Sequence, residues 1–173
     1  MKKVLVIIFL LTAGIFTAQA QRFAYVSTDY ILSNIPEYEK AQEQIENLTK
    51  DWRASVDAKQ KEIDDMYRDF QNEQYLLTED QKKAKIQEIE AKEKAMKDFQ
   101  REKFGYEGEL FQKRQELVKP IQDKVYEAIE QYAKERGYDF IFDKSSGTTI
   151  LFANPDNDKS KDVLKKMGYT ATK

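Results

Sequence analysis

The chain has 173 residues, with 29 lysines and arginines against 31 aspartates and glutamates, and it contains neither histidine nor cysteine. Without these two residue types it lacks the usual ligands of zinc, copper and haem and the usual thiol nucleophile, so we expect no metal, no cofactor and no enzymatic activity. A net charge of −2 gives no basic field for nucleic acid, and we expect no nucleic-acid partner.

The first twenty residues have the pattern of an export signal. Two lysines precede an apolar run at 4–16, which is shorter than the about 20 residues that a membrane span needs. A small-x-small pattern then predicts cleavage between Ala20 and Gln21. Removal of residues 1–20 would leave a net charge of −4, because that segment holds two lysines and no acidic residue. We therefore expect an exported protein.

A short strand and a short helix are predicted next. Aromatic and β-branched residues at 23–26 favour a strand. The stretch Ser27-Thr28-Asp29 is expected to cap a helix that runs through Ser33, because hydroxyl and carboxylate oxygens can accept from an unpaired backbone N–H in the first turn.

Two long amphipathic helices follow. The first is predicted from Pro36 to about residue 75, with Asn34 as its cap, and its apolar stripe shifts register just after Trp52, as at a stutter in a coiled coil. The second is predicted at 79–119 and opens with a T-x-x-Q capping box. Glutamate–lysine pairs spaced i,i+4 between residues 88 and 97 predict a solvated face on this second helix. Two arms of equal length, each about 60 Å, would form an antiparallel hairpin.

Gly105 and Gly108 lie one turn apart inside the second predicted helix, where each costs roughly 1 kcal/mol relative to alanine. They are interpreted either as a notch that makes room for Trp52 or as a hinge. We favour a joint role, in which small residues mark the place where the coiled coil changes register and bends. Pro120 predicts a change of direction and a separate helix at 121–136.

The C-terminal part is predicted to contain short strands. Gly137 would cap the preceding helix, and strands are expected at 139–142 and 148–152, with a last helix at 159–166. Three short strands with apolar faces cannot bury a core alone, so we expect other copies of the chain to cover them and to pair with their edges. The expected interface residues are Phe23, Tyr25, Val26, Phe140, Ile141, Phe142, Ile150, Leu151 and Phe152.

Three stretches carry a resemblance to a known family. They are the opening AYVSTDYIL, the long charged hairpin, and the ending PIQDKVYEAIEQYAKERGYDFIFDKSSGTTILFA. Together they resemble the Skp/OmpH family of periplasmic chaperones over essentially the whole exported chain. The resemblance implies a homotrimeric holdase of the periplasm that works without ATP. It also implies a cavity between helical arms, in which unfolded outer-membrane β-barrel proteins are held.

The resemblance also sets the expected fold, which is α+β. A long antiparallel α-helical coiled-coil hairpin would project from a small β-sheet body that trimerisation completes. Residues 1–20 are assigned to the signal peptide, 21–35 and 120–173 to the β-rich body, and 36–119 to the arm, with its tip near 75–79.

Capture of unfolded proteins is expected to be mainly apolar. Better-known members are strongly basic, whereas this chain has a pI near 5.5. Many weak apolar contacts could hold a chain without trapping it, and peripheral contact with membrane lipids is left open. The alternative is a coiled-coil spacer or adaptor of the envelope without chaperone activity. The candidate client contacts, each of which could instead pack arm against arm, are Tyr67, Phe70, Tyr75, Leu76, Leu77, Met96 and Phe99.

Overall fold

The computed structural model describes residues 21–147 and 149–171, so the predicted export signal at 1–20 lies outside the described residues. The fold is α+β, as predicted, with long helices and a small two-stranded sheet. The elements in chain order are β1 (Phe23–Val26), α1 (Thr28–Ser33), α2 (Pro36–Glu73), α3 (Glu79–Phe104), α4 (Glu109–Leu117), α5 (Lys119–Arg136), β2 (Phe140–Asp143), a 3-10 turn (Pro155–Asn157) and α6 (Ser160–Lys166).

The small sheet brings the two ends of the chain together. β1 and β2 pair in parallel, with Phe23 opposite Phe140 and Val26 opposite Asp143. Parallel strands need a long crossover connection, and here the helices from α1 to α5 supply it. One face of the sheet lies on α1, α5 and α6. The buried residues between them, here called the base cluster, are Val26, Ile31, Leu32, Ile35, Val125, Ala128, Tyr132, Val163 and Leu164.

α2 and α3 form the long antiparallel hairpin. α2 is continuous over 38 residues, and Trp52 on α2 contacts Phe104 at the end of α3. Two separate groups of buried side chains fill the seam. The lower seam cluster consists of Ala41 and Ile45 on α2 and Val118, which follows the last residue of α4. The tip seam cluster consists of Ile63, Ile89 and Met96.

Local capping signals were predicted correctly at three helix ends. Ser27 accepts from the backbone N–H of Tyr30 at 3.1 Å and opens α1. Thr78 Oγ1 accepts from the N–H of Gln81, whose side chain accepts from the N–H of Thr78 at 2.9 Å, so the predicted capping box is present. Gly137 ends α5 with φ of 66°, a left-handed conformation that glycine adopts without strain.

The predicted cap of α2 was wrong. The Asn34 side chain donates to the carbonyl oxygen of Tyr30 at 2.8 Å, so it closes α1 instead of opening α2. α2 begins at Pro36 without a side-chain cap. Proline at the first position has no N–H to satisfy, and this reduces the need for a cap.

The third predicted strand, 148–152, was also wrong. Residues 149–152 belong to no strand, and Thr148 lies outside the described residues. The free edge of β1 is already occupied, because Tyr25 forms a bridge with Asp158 and accepts from the N–H of Lys159 at 2.9 Å. The segment therefore has no place beside β1 within its own chain.

Candidate functional site

Large exposed apolar side chains are a prominent feature of the surface of this protein. Among the residues that the structure describes, no group of three acidic, histidine or cysteine side chains is placed to hold a metal ion. Within 21–147 and 149–171, no helix combines the length and the apolar character that a membrane crossing requires. The exposed apolar side chains lie on the sheet and along the hairpin.

The outer face of the sheet is an aromatic layer. Phe23 stacks on Phe140 with ring centroids 5.6 Å apart, and Phe142 lies 6.3 Å from Phe23 and 6.4 Å from Phe140. All three side chains are about half exposed in the single chain. We call Phe23, Phe140 and Phe142 the aromatic face. A large stacked apolar surface of this kind is unusual on a soluble monomer and indicates an interaction site.

The 149–152 segment borders the aromatic face. Leu151 is 95% exposed and Phe152 is 85% exposed. With Phe23, Tyr25 and Phe142, they line an open groove of about 680 Å³. The groove continues the aromatic face and extends its apolar surface.

The predicted interface residues divide between two faces. Val26 is buried in the base cluster, and Ile141 packs against it, because alternate residues of a strand point to opposite sides. The assignment of Val26 to an interface between copies was therefore wrong. Tyr25 is buried too, with the Lys144 ammonium 5.2 Å from its ring centroid. Ile150 is partly buried and lines the groove beside Leu151.

The tip of the hairpin carries the most exposed of the predicted client contacts. Tyr75 and Leu76 are 87% and 85% exposed, in the turn between α2 and α3. Leu77 is half-buried beside them. The capping box at Thr78 fixes the start of α3, so the turn must present these side chains outside the seam.

The other predicted client contacts are engaged within the hairpin. Met96 is buried in the tip seam cluster, which corrects its assignment as a client contact, and Phe70 packs against that cluster. Tyr67 is exposed and donates to Glu93 Oε1 at 3.0 Å, and this hydrogen bond raises the pKa of Tyr67. Phe99 is half-buried, with the Lys59 ammonium 5.5 Å from its ring centroid.

The two glycines mark a true interruption of the return helix, which corrects the prediction of one helix over 79–119. α3 ends at Phe104, and α4 begins at Glu109. We call residues 105–108 the break. A Cβ atom at Gly105 would overlap the carbonyl oxygen of Arg101, and one at Gly108 would lie 2.7 Å from the carbonyl oxygen of Glu102.

The backbone of the chain itself therefore requires glycine at both positions. This corrects the interpretation of the two glycines as a notch that makes room for Trp52. The Trp52 ring instead packs edge to face on Phe104, with centroids 6.0 Å apart. Pro120 lies in the first turn of α5, which starts at Lys119 immediately after α4, so this proline marks the start of a helix as predicted.

Some exposed apolar residues escaped the sequence analysis. Tyr106 is 96% exposed in the break. Its position between two glycines was the available signal, because a turn there would take it off the apolar stripe. The remaining ones lie on helices, where a single stripe could not separate seam from surface, and they are Ile86, Phe111 and Tyr126.

Polar contacts hold the base together as well as its core. Burial raises the pKa of the Asp158 carboxyl, but hydrogen bonds from Ser160 and Lys144 outweigh it and leave the pKa below its usual range. Burial and a hydrogen bond to Asp162 raise the pKa of Tyr132 to about 12. These contacts connect α5, α6 and the segment after β2, so they stabilise the support of the aromatic face.

Comparisons with known proteins agree with this architecture. The family model described as outer membrane protein (OmpH-like) matches residues 22–167. The crystal structure of a candidate OmpH-like outer membrane chaperone from Caulobacter crescentus superposes on this chain with a TM-score of 0.64 at 12% sequence identity. The superposition covers 88% of this chain and 86% of the Caulobacter chain. No curated protein sequence matches. The long hairpin, the small sheet and the family match together place this chain in the OmpH-like family of outer membrane proteins.

Proposed function

We propose that the protein is a periplasmic holdase chaperone, working without ATP, that binds unfolded outer-membrane β-barrel proteins in a cavity between helical arms and prevents their aggregation. Membership of the OmpH-like family supports a chaperone role. The observation that carries the proposal is the tip of the hairpin, where Tyr75 and Leu76 stand almost fully exposed far from the base cluster. Exposed apolar side chains at the end of a long arm have no packing role there and suit the capture of another chain.

The cavity requires several arms, and the aromatic face supports their assembly. Phe23, Phe140 and Phe142 form a stacked layer that is half exposed in one chain. Burial of this layer against further copies would remove an unfavourable apolar surface from water. The exposed segment at 149–152 would join the same contact. A homotrimer assembled through this surface would set three hairpins side by side.

Holding without ATP depends on weak contacts. A leucine or aromatic side chain contributes about 1.5–3 kcal/mol when it is fully buried, and much less in a mobile contact at the surface. Several such contacts on adjacent arms give combined affinity through effective concentration, while each one breaks easily. The client can therefore leave when its own folding offers better burial.

The test is an aggregation assay. An outer-membrane β-barrel protein unfolded in urea is diluted with and without the protein, and light scattering is followed over time. We expect suppression at stoichiometric amounts and no effect of added ATP. Unchanged aggregation in the presence of a correctly assembled protein would contradict the proposal.

One observation favours a second function, that of an envelope spacer. α2 is an uninterrupted helix of 38 residues, and a helix of this length could separate two partners. A spacer should leave the aggregation of unfolded clients unchanged, so the same assay distinguishes the two functions.

A further inference from the structure

The seam of the hairpin is interrupted halfway along its length. The lower seam cluster and the tip seam cluster have no buried side chain between them. On α2 this stretch runs from Ile45 to Ile63, and on the returning side from Met96 to Val118, and the structure describes every residue of both. The hairpin is thus packed as two units, with a less buried region between them.

Both sides of the hairpin, α2 and the returning helices α3 and α4, are weakened between the two seam clusters. The returning side is interrupted by the break, where the helical bonds to the fourth preceding residue end at the N–H of Gly105 and resume at the N–H of Gln112. On α2, Thr49 donates its hydroxyl to the Ile45 carbonyl at 2.7 Å, and Ser55 donates to the Asp51 carbonyl at 2.9 Å. Hydroxyl groups bonded to the preceding turn in this way often bend helices. Two points where the backbone can bend therefore flank Trp52.

One side chain connects the parts across this region. Lys103 Nζ lies 2.7 Å from Glu109 on α4 and 2.9 Å from Glu102 on α3. It also lies 5.5 Å from the ring centroids of Trp52 on α2 and of Phe99 on α3. The Lys103 side chain is only 13% exposed. Hydrogen bonds to Glu109 and Glu102 raise its pKa, so it stays charged at neutral pH.

We propose that Lys103 is the latch of a joint in the arm, formed by the break together with the Thr49–Ser55 stretch of α2. The latch ties the end of α3 to the start of α4 and to Trp52, and so fixes the angle between the tip unit and the lower unit. Glu109 and Glu102 remain partly exposed, and ion pairs of this kind are weak and reversible. When the Lys103–Glu109 pair opens, the tip unit is free to swing.

This inference deepens the proposed holdase function, on which it rests for its biological meaning. A joint halfway along each arm would let the space between the arms adapt to clients of different size. The shape of the arm can nevertheless be measured in the absence of any client. The failure of one proposal can therefore be told from the failure of the other.

Distances between spin labels measure the joint directly, because the chain has no cysteine of its own. Lys85→Cys on α3 and Gln115→Cys on α4 place labels on either side of the break, at exposed positions. Lys61→Cys with Lys85→Cys places both labels in the tip unit and serves as the control pair. Labelled chains are diluted into unlabelled chains, so that only distances within one chain are read.

The variant is Lys103→Met, which keeps the apolar stem and removes the charge. Its matched control is Lys92→Met, because Lys92 forms an ion pair with Glu62 across the seam at 2.6 Å, away from the joint. We expect Lys103→Met to broaden the Lys85–Gln115 distance distribution and shift it to shorter values. The Lys61–Lys85 distribution should stay unchanged, and Lys92→Met should leave both distributions as in the parent.

An unchanged Lys85–Gln115 distribution in folded Lys103→Met overturns the latch. Equal broadening in Lys92→Met also overturns it, because any lost cross-seam pair would then have the same effect. If circular dichroism shows that Lys103→Met is unfolded, Glu109→Ala decides, since it removes the main carboxylate partner and leaves the aromatic contacts in place. A parent protein that fails to suppress aggregation contradicts the holdase function and leaves the distance result standing.

Discussion

The hydroxyl group of Thr28 donates to Asp143 Oδ2 at 2.6 Å, and the backbone N–H of Thr28 donates to Oδ1 at 3.1 Å. These bonds tie the start of α1 to the end of β2 across 115 residues of sequence. Burial raises the pKa of the Asp143 carboxyl, but hydrogen bonds from Thr28 and Ser145 outweigh it, and the pKa lies below its usual range. The stabilisation is therefore present above the unfolded-state pKa of about 3.9 and is lost as the pH falls through the folded-state pKa.

Asp143→Asn should destabilise the protein at pH 7 by about 1.5 kcal/mol, the lower end for hydrogen bonds to a charged group, because the amide keeps one acceptor. The difference from the parent should begin to shrink below about pH 4, where the carboxyl of the unfolded parent becomes protonated, and it should be lost as the pH falls through the lowered folded-state pKa. Urea unfolding at several pH values and one protein concentration measures this. Asp123→Asn, at an exposed ion pair on α5, is the control. A difference that stays constant from pH 7 to pH 3 would contradict the explanation.

The aromatic face gives the prediction for assembly. Phe142→Asp places a carboxylate within the stacked layer, and burying that charge between copies would be strongly unfavourable. We expect the parent to have the mass of a trimer in light scattering after size exclusion, and the variant to dissociate or unfold. Tyr126→Asp is the control, because Tyr126 is an exposed aromatic residue on α5. A stable monomeric parent at micromolar concentration would disprove the assembly.

The break gives a prediction for stability. Alanine at Gly105 or Gly108 would bring its Cβ against a backbone carbonyl of the preceding turn, and overpacking of this kind costs about 1–3 kcal/mol. Each variant should therefore melt at a lower temperature, although alanine is the better helix former. Gln100→Ala, at an exposed site of α3, should not. A higher melting temperature for Gly105→Ala/Gly108→Ala would show that the break closes into a continuous helix at no cost.

Trp52 gives an independent reading of the same variants. It packs on Phe104 directly before the break, so a shift in its fluorescence emission would report movement of the joint. Unchanged emission together with lower stability would indicate that the strain is confined to residues 105–108.

Local signals were predictable from the sequence, and long-range partners were not. Ser27, Thr78 and Gly137 act within a few residues of their own position, so their roles follow from the nearby pattern. Asn34 lies between two helix ends, and sequence alone could not decide which one it would serve. The lysine at 92, predicted to pair within its own helix, instead bonds to Glu62 on the facing helix.

The candidate binding residues show the same limit. Met96 and Phe99 were predicted as client contacts that could instead pack arm against arm, and only the packing of α2 shows that Met96 is buried and Phe99 half-buried. The exposure of Tyr75 and Leu76 was easier to predict, because side chains in the turn between two helices lie outside the seam. The two glycines indicated a weak place in the helix, but one continuous helix was predicted across it. The backbone geometry of the break, with Glu107 at a left-handed φ of 56°, could not be predicted.

Client holding should depend on the tip. Tyr75→Ser/Leu76→Ser removes two nearly fully exposed apolar side chains and touches no buried cluster, so melting temperature and assembly should match the parent while suppression of aggregation weakens. Phe70→Ser/Phe99→Ser should also reduce holding, but with some loss of stability, because both rings are half-buried in the hairpin. Tyr106→Ser is the control, since it removes an equally exposed aromatic ring away from the tip.

The salt dependence of holding separates apolar from electrostatic capture. If contacts such as Tyr75 and Leu76 carry the affinity, it should change less than about tenfold between roughly 50 and 300 mM salt, although the Debye length falls from about 14 to about 6 Å over that range. Affinity that depended on charge would fall steeply over this range, because salt screens the attraction between local charge clusters on the arms and the client. Affinity is measured by titrating a fluorescently labelled unfolded β-barrel protein. A steep loss with salt, together with full holding by Tyr75→Ser/Leu76→Ser, would show that the charged faces of the arms hold the client.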